Sequence, residues 1–370
     1  MERIRVLVVD DSTVVRRIVA KVLGDDPRLE VVDTALNGKA ALDKIEKLRP
    51  DLVTLDLEMP VMNGLETLAE LRTRRIDVPV IVFSAADQAG AVGALEALQA
   101  GAADYVTKPS QLARIADAVS MLQAELIPKI IAIMQSIEHR ESVRVETKPR
   151  PVIELASSPP PRRVVSSSGS APQLVVIGTS TGGPKALQAI LPNLSASFPV
   201  PVLIVQHMPP TFTTTLARSL DQRCRLRVAE AFEGAEARPG EVWIAPGDFH
   251  MTVERTARGC RLHLDQGPKE NSCRPAVDPL FRSAAKAFGA RTLAIVLTGM
   301  GSDGLDGARA LRQTGARVAV QDEGTSVVWG MPGAVASAGL ADQVLPQDEV
   351  ALYLERSVVT RPFREGATSR

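Results

Sequence analysis

Three residue types that can together carry out acyl transfer each follow an apolar strand in the second half of the chain. Ser180 follows "QLVVIGT", His207 follows "PVPVLIVQ", and Asp303 follows "TLAIVLTGMGS". Short strands that are apolar throughout are typical of parallel sheets covered on both faces, and ligand sites lie at the carboxyl ends of such strands. We therefore expect the hydroxyl, the imidazole and the carboxylate to meet at one edge of a sheet.

A serine hydroxyl is a weak nucleophile and needs a base, which in turn needs a group that orients it. The chain has four histidines, at positions 139, 207, 250 and 263. Only His207 lies at the end of a strand that we expect to neighbour the strand before Ser180. Taken singly, Ser180 and Asp303 also fit helix caps, and His207 fits a hydrogen-bonded core imidazole. Their joint placement favours a hydrolytic triad.

The glycine turn "GTSTGGP" around Ser180 invites two phosphate-binding interpretations, and both fail on specific residues. A dinucleotide site needs Gly-x-Gly-x-x-Gly and an acidic residue after the second strand. Ser180 stands where the second glycine belongs, and Gln206 and His207 stand where the acid belongs. A P-loop needs Gly-Lys-Ser/Thr, but Gly183 is followed by Pro184, which has no N–H to donate.

A second group of polar residues follows the strands of the N-terminal half. Asp10 and Asp11 follow the first strand, Asp56 the third, Ser84 the fourth and Lys108 the fifth. Clustered carboxylates are costly without a cation, and hard oxygen ligands favour Mg²⁺. Each residue alone also fits a helix cap or a surface charge, but the five together predict an acidic cation pocket.

Two α/β units with a segment between them position these residues. Strands and helices alternate over residues 1–125, with a final helix from about Gln111 to Leu126. Residues 126–172 hold an amphipathic exit helix and then a linker rich in Pro and Ser. Residues 173–357 alternate again, interrupted by "EVWIAPGDFHMTVERTARGCRLHLD", whose three short segments predict an antiparallel insertion. Residues 358–370 are expected to be a frayed tail.

Composition excludes several classes of function. The 370 residues are 45% hydrophobic and 3% aromatic, and basic and acidic residues balance at 43 each. A nucleic-acid-binding protein would show a basic bias, so we expect no nucleic-acid partner. No apolar run approaches 18 residues and the N-terminus lacks a signal-peptide pattern, so we expect a cytoplasmic protein without membrane insertion. Three cysteines without paired spacing indicate neither disulfides nor zinc, and Cys273 is interpreted as buried filler.

The N-terminal half resembles the receiver domain of response regulators, since every polar position named above is filled. The resemblance implies that a histidine kinase transfers a phosphoryl group to Asp56. It also implies that Asp11 and Asp56 ligate Mg²⁺ together with the backbone carbonyl of Glu58, and that Asp10 supports them.

The same resemblance assigns the remaining polar positions and one aromatic residue. Ser84 would bind the phosphoryl oxygens, Lys108 would pair with the phosphate, and Tyr105 occupies the position of an aromatic switch. Phosphorylation adds about 1.5–2 negative charges, enough to draw Ser84 and its loop inward.

The C-terminal half resembles the chemotaxis protein-glutamate methylesterases that are also glutamine deamidases, the CheB family. Six segments carry the resemblance in order: "GTSTGGP", "QHMPPTFT", "WIAPGDFHM", "RPAVDPLFRSAA", "LTGMGSDG" and "VVWGMPGAV". One departure is Thr179, where alanine is more usual, and we expect it to affect packing only. The combined fold expected is a (βα)₅ receiver, a flexible linker and a doubly wound parallel-sheet domain with an antiparallel insertion.

The resemblance implies a substrate and a means of control. Glutamate methyl esters and certain glutamines on cytoplasmic chemoreceptor helices would be hydrolysed without a cofactor, with backbone N–H groups of Thr181 and Met300 holding the oxyanion. The unphosphorylated receiver would cover the catalytic edge. Two rival interpretations stay open: a phosphorylation-switched scaffold without turnover, and a receiver with a DNA-binding output, although no basic stripe supports the latter.

Overall fold

The computed structural model describes residues 3–108, 115–146, 171–257 and 259–358. These residues form a five-stranded sheet, a seven-stranded sheet and a three-stranded sheet. The predicted linker after residue 146 and the predicted tail after Val358 lie outside the described residues.

The N-terminal domain is a parallel sheet with the strand order β2-β1-β3-β4-β5. Its strands are β1 (Ile4–Val9), β2 (Leu29–Ala35), β3 (Leu52–Asp56), β4 (Val80–Ser84) and β5 (Asp104–Thr107). Its first four helices are α1 (Thr13–Gly24), α2 (Gly38–Leu48), α3 (Gly64–Thr73) and α4 (Gln88–Ala100). The central strands β3 and β4 are buried along their whole length, as their uniformly apolar sequences predict.

One long helix, α5 (Ile115–Glu146), leaves this domain and contains Pro128 in its interior. The expected end of a helix near Leu126 is therefore wrong, because the receiver's last helix and the exit helix are one element. Its segment Ala118–Arg140 is long and apolar enough to cross a membrane by composition alone. In the fold, however, five of its apolar residues are buried in the hydrophobic cluster that also contains β1: Leu122, Leu126, Ile127, Ile130 and Ile133.

The C-terminal domain is built on seven parallel strands in the order β15-β14-β13-β6-β7-β10-β8. The strands of this domain are β6 (Leu174–Thr179), β7 (Val202–Gln206), β8 (Arg227–Glu230), β9 (Glu236–Ala237), β10 (Glu241–Ile244), β11 (His250–Thr256), β12 (Gly259–Asp265), β13 (Thr292–Val296), β14 (Arg317–Gln321) and β15 (Gln343–Leu345). Its helices are α6 (Gly183–Ile190), α7 (Pro210–Asp221), α8 (Val277–Phe288), α9 (Leu305–Gln313), α10 (Gly330–Ser337) and α11 (Gln347–Val358).

The antiparallel insertion is present but has different members from those expected. Strands β11 and β12 pair antiparallel, and the third strand is β9. The segment "EVWI", expected in the insertion, is β10 and pairs parallel with β7 and β8 in the main sheet. The reason is burial, since Val242, Trp243 and Ile244 are all covered, which suits a strand enclosed on both faces.

Helix α8 connects the main sheet to the insertion through one hydrophobic cluster. Phe281 on α8 is fully buried in the cluster that contains Val176 of β6, Val296 of β13 and Met251 of β11. The packing of α8 matters for function because its N-terminus lies at the carboxyl edge of the sheet.

Shortening Phe281 should destabilise the C-terminal domain selectively. Phe281→Ala removes a fully buried ring, which we expect to lower the free energy of unfolding by about 3–5 kcal/mol. Both tryptophans, Trp243 and Trp329, lie in this domain, so their fluorescence in a denaturant titration follows it alone. Leu352→Ala on α11 is the control, since Leu352 is 50% exposed. Equal midpoints for the two variants would contradict the packing described here.

Candidate active site and acidic pocket

The three residues expected to form a triad follow three adjacent strands. Strand β6 pairs with β7 on one side and with β13 on the other. Ser180, His207 and Asp303 follow these strands, so they emerge at the same edge of the sheet. The prediction that the strands before Ser180 and His207 are neighbours is confirmed.

His207 and Asp303 are joined by a hydrogen bond of 2.8 Å between Nε2 and Oδ2. The carboxylate of Asp303 is 2% exposed and accepts further hydrogen bonds from backbone N–H groups. Val277 N lies 2.6 Å from Oδ2, and Asp278 N lies 3.1 Å from Oδ1. Both amides belong to the first turn of α8, whose N–H groups and positive dipole end favour an anion.

The hydrogen bonds keep Asp303 ionised. Burial alone would raise the pKa of this carboxyl, but the hydrogen bond from His207 and the backbone donors of α8 lower it below its ordinary value. An ionised carboxylate only accepts hydrogen bonds. Nε2 of His207 therefore carries a proton, and Nδ1 is the nitrogen left to act as a base.

The imidazole of His207 is basic because of its partners. Burial lowers its pKa, but the hydrogen bond to Asp303 and the neighbouring sulfur of Cys273 raise it by more, so the net pKa lies above its ordinary value. The same contacts stabilise the imidazolium that forms when the base takes a proton.

Nδ1 of His207 lies 3.5 Å from Sγ of Cys273. The interpretation of Cys273 as filler without a histidine nearby is therefore wrong. Cys273 lies in the loop between β12 and α8, 66 residues from His207 along the chain. A signal was available in the sequence, because Cys273 lies four residues before Val277, the start of the helix that binds Asp303.

Ser180 is held by its backbone beside this pair. Its N–H donates to Thr298 O at 3.0 Å, and its carbonyl accepts from Gln206 Nε2 at 3.0 Å. The hydroxyl of Thr179, the one departure from the family pattern, also donates to Thr298 O at 2.9 Å. Within the part of the chain that the structure describes, Ser180 Oγ makes no hydrogen bond, and the structure does not join it to His207.

Two backbone N–H groups beside Ser180 are available to a ligand. Among the described residues, no acceptor pairs with the amide of Thr181 or of Met300. The loop of Met300 approaches the serine closely, because a Cβ added to Gly299 would lie 2.8 Å from Ser180 Cβ. Only glycine at position 299 permits this approach.

The other histidines do not join this group. His250 is buried and its Nε2 donates to Pro268 O at 2.9 Å, while its Nδ1 accepts from Ala276 N at 3.2 Å. His263 is partly exposed between Glu233 and Glu254, and His139 faces Glu323. Their contacts are those of structural and surface histidines.

The acidic residues of the N-terminal domain form the expected pocket. Carboxylate oxygens of Asp10, Asp11 and Asp56 all lie within 4.8 Å of one another. Lys108 Nζ lies 2.6 Å from Asp56 Oδ1 and 3.6 Å from Asp10 Oδ2. Asp10 Oδ2 and Asp56 Oδ2 are buried without a hydrogen-bond partner among the described residues. Unpartnered buried carboxylate oxygens are the donor set that a hard cation requires.

The buried carboxyl groups of this pocket are costly to ionise, because they are desolvated and repel one another. Burial, and next the charge of Asp56, raise the pKa of Asp10 to about 6. Burial also raises the pKa of Asp56, although Lys108 and the N–H of Glu58, 3.2 Å from Asp56 Oδ1, oppose the shift. Two carboxyls whose charged forms are disfavoured gain from any cation that enters.

Ser84 and Tyr105 make contacts that the sequence did not indicate. The hydroxyl of Ser84 donates to Gly90 O of α4 at 2.5 Å. The ring of Tyr105 stacks on Phe212 of α7, with centroids 4.7 Å apart and planes 9° apart. Tyr105 therefore contacts the C-terminal domain directly, while Ser84 is turned towards α4.

A buried polar contact reaches the residue beside Ser180. Thr181 Oγ1 donates to Asp104 Oδ2 at 2.8 Å, and Lys129 Nζ of α5 lies 3.4 Å from the same carboxylate oxygen. Sequence reasoning missed Asp104 and Lys129. Asp104 is the first residue of β5, one position before Tyr105, but nothing in the chain's local pattern indicates that it faces another domain.

Comparisons with known proteins agree over nearly the whole chain. Residues 6–120 match the family model of the response regulator receiver domain, and residues 175–354 match that of the CheB methylesterase. A protein-glutamate methylesterase/protein-glutamine glutaminase of Nocardioides sp. is 49% identical, over 94% of this chain and 93% of its own. One of Trichodesmium erythraeum is 45% identical, over 97% of this chain and all of its own.

A solved structure, the CheB methylesterase catalytic domain of Thermotoga maritima, covers 50% of this chain and 99% of its own. Its sequence identity is 45% and its TM-score 0.49. With two curated relatives above 40% identity over more than nine-tenths of both chains, the assignment no longer depends on motifs alone. This chain belongs to the CheB family, the protein-glutamate methylesterases/protein-glutamine glutaminases with an N-terminal receiver domain.

Proposed function

We propose that the chain demethylates and deamidates chemoreceptor glutamyl and glutaminyl side chains through a serine nucleophile. The observation that carries this proposal is the hydrogen bond from His207 to the buried, helix-capped Asp303 beside the partly exposed Ser180. The substrates are methyl esters and certain amides on cytoplasmic receptor helices, and a histidine kinase supplies the phosphoryl group. We place the enzyme in the cytoplasm with them.

The chemistry uses the one imidazole nitrogen that Asp303 leaves free. Nδ1 of His207 takes the proton of Ser180 while Oγ forms a bond to the ester carbonyl carbon. The tetrahedral oxyanion accepts hydrogen bonds from the amides of Thr181 and Met300. The imidazolium returns its proton to the departing methoxide, which leaves as methanol, or to the amide nitrogen, which leaves as ammonia. Water then hydrolyses the acyl-enzyme and restores Ser180.

The imidazole must turn from Cys273 towards Ser180 before this reaction begins. In the structure Nδ1 faces Cys273 Sγ, and Ser180 Oγ has no hydrogen bond with a described residue. The hydrogen bond to Asp303 is compatible with a small rotation of the ring about Nε2. The arrangement is therefore a resting state of the site.

The receiver controls the resting state through its contact with Thr181. Asp104 holds the side chain of the residue whose amide would bind the oxyanion, and the Tyr105–Phe212 stack secures the same interface. A phosphoryl group on Asp56 competes for Lys108 and for the hydroxyl of Ser84, which now bonds to α4. A ligand or modification shifts such an equilibrium only by its differential interaction with the two states.

The acidic pocket fits Mg²⁺, and the cation would be held by Asp11, Asp56 and the carbonyl of Glu58, with Asp10 in support. Bound there, it would neutralise negative charge on the phosphoryl group during transfer. The residues themselves contribute the acceptor carboxylate of Asp56 and the ammonium of Lys108, which lies 2.6 Å from it.

Removing the proposed nucleophile should abolish hydrolysis without unfolding the protein. We expect Ser180→Ala to lower kcat for methanol release from methylated receptor membranes by about 10⁴-fold or more. Ser302→Ala changes an exposed serine of the neighbouring loop and serves as the control. Most of the wild-type turnover remaining in Ser180→Ala would eliminate Ser180 as the nucleophile.

Breaking the contact between domains should raise the basal rate. Asp104→Ala removes the acceptor of Thr181 Oγ1 and the partner of Lys129, so we expect several-fold faster methanol release without a phosphodonor. A tenfold rise corresponds to about 1.4 kcal/mol. Gln99→Ala removes an exposed contact to Arg223 and is the matched control. An unchanged basal rate in Asp104→Ala, with normal folding, would contradict control through this contact.

Neutralising Asp10 should stabilise the fold above pH 6. Because its pKa is raised to about 6 in the folded protein, the folded state binds the proton more tightly than the unfolded state. We expect Asp10→Asn to raise Tm by a few degrees at pH 7.5, and this gain to vanish as the pH falls from 6 to 4. Mg²⁺ should raise the Tm of the wild type more than that of the variant.

Asp33→Asn provides the comparison, because Lys44 lowers the pKa of Asp33 and removing its charge gains nothing. A Tm for Asp10→Asn at or below that of the wild type at pH 7.5 would contradict the claim that the charge of Asp10 destabilises the folded protein.

A further inference from the structure

Cys273, His207 and Asp303 form a line of thiol, imidazole and carboxylate. Sγ of Cys273 lies 3.5 Å from Nδ1 of His207, and Nε2 lies 2.8 Å from Asp303 Oδ2. The order of groups is that of a cysteine hydrolase triad, in which the acid orients the imidazole and the imidazole activates the sulfur. The proposed esterase reaction uses only two of these three groups.

The position of the imidazole favours a reactive sulfur. Nδ1 of His207 faces Sγ of Cys273, and although burial opposes it, the hydrogen bond to the ionised Asp303 raises the pKa of His207, so Nδ1 is placed to accept the thiol proton. Thiolates rather than thiols attack electrophiles, and an adjacent base is one way to generate them. Cys273 is also partly exposed, so a small reagent can reach it.

The other two cysteines lack these features and make internal controls. Cys224 is partly exposed like Cys273, but burial and the charge of Asp221 raise its pKa to about 11. Cys260 is 1% exposed, and burial raises its pKa to about 12. Among the described residues, neither has a hydrogen bond with an imidazole.

We propose that Cys273 is an oxidation-sensitive modification site of the active site: hydroperoxides convert its thiol to a sulfenic acid, and this modification stops ester hydrolysis. The inhibitory part rests on the proposed function, because it requires His207 Nδ1 to serve Ser180. The reactivity of the sulfur does not depend on it.

The oxidation balances with a hydroperoxide as the second reactant. The thiol of Cys273 gives its proton to Nδ1 of His207 as the sulfur attacks one peroxide oxygen, so that an S–O bond forms and the O–O bond breaks. Sulfur is oxidised and the peroxide is reduced. The departing oxygen takes the proton of the His207 imidazolium and leaves as water when the reagent is hydrogen peroxide. A low-molecular-weight thiol reverses the change in two steps: it condenses with the sulfenic acid to give a mixed disulfide and water, and a second thiol then releases the Cys273 thiol by exchange.

The sulfenic acid acts on catalysis through Nδ1. Its hydroxyl is a better hydrogen-bond donor than a thiol, and its added oxygen occupies the space beside the ring. Nδ1 then stays with residue 273 and is withheld from Ser180, so the nucleophile has no base.

The test treats the full-length protein with hydrogen peroxide and follows two readouts. Trapping with dimedone and mass spectrometry measures sulfenic acid at each cysteine, and methanol release measures activity relative to the untreated form of each variant. We expect Cys273 to be labelled about tenfold or more faster than Cys224. Activity should fall in step with labelling of Cys273 and return after dithiothreitol.

Variants separate the two halves of the proposal. Cys273→Ser should keep its own untreated activity during peroxide exposure, whereas Cys224→Ser should lose activity at the wild-type rate. His207→Gln should slow labelling at Cys273. Ser180→Ala should leave this labelling unchanged, whatever its effect on methanol release. Labelling of Cys273 no faster than that of Cys224 would overturn the reactive thiol. Full labelling without loss of methanol release would overturn the inhibition.

Discussion

The hydrogen bond between His207 Nε2 and Asp303 Oδ2 determines which nitrogen of the imidazole is free to interact with the neighbouring side chains. It exists because the loops that follow β7 and β13, the strands on either side of β6, both reach the N-terminus of α8, whose first amides keep Asp303 ionised. An ionised Asp303 fixes the proton on Nε2. One nitrogen, Nδ1, then remains, and the hydroxyl of Ser180 and the sulfur of Cys273 must compete for it. In the two proposals made above, catalysis and oxidation therefore depend on one atom, Nδ1.

The two domains are coupled by apolar packing in one shared hydrophobic cluster and by polar contacts beside it. The Tyr105–Phe212 stack supplies apolar contact, while Asp104 accepts from Thr181 and lies beside Lys129. A carboxylate buried between domains is stable only while its partners remain. Partial opening of the interface would therefore leave the charge of Asp104 unpaired, which is costly in free energy. Such a contact suits a switch with two states, because its loss costs the interface several interactions together.

The sequence predicted the strands of both sheets well where they are largely apolar, as in β3, β4, β6 and β13. The prediction failed where the same local pattern is compatible with two different structures. A last receiver helix ending near Leu126 and a separate exit helix were expected, yet α5 continues through Pro128 because its apolar face is buried on the N-terminal domain. The segment of β10 has the length of an insertion strand, and only its neighbours β7 and β8 decide that it belongs to the main sheet.

From the sequence alone came the family, the two α/β units, and the expectation that Ser180, His207 and Asp303 emerge together, since residue types after apolar strands depend on local pattern. Whether side chains touch depends on loop paths and ring rotations, which no local pattern encodes. Only the tertiary structure therefore showed that Nδ1 of His207 faces Cys273, and that Asp104 reaches Thr181. These contacts join residues 66 and 77 positions apart, so their distances follow from the packing of whole elements.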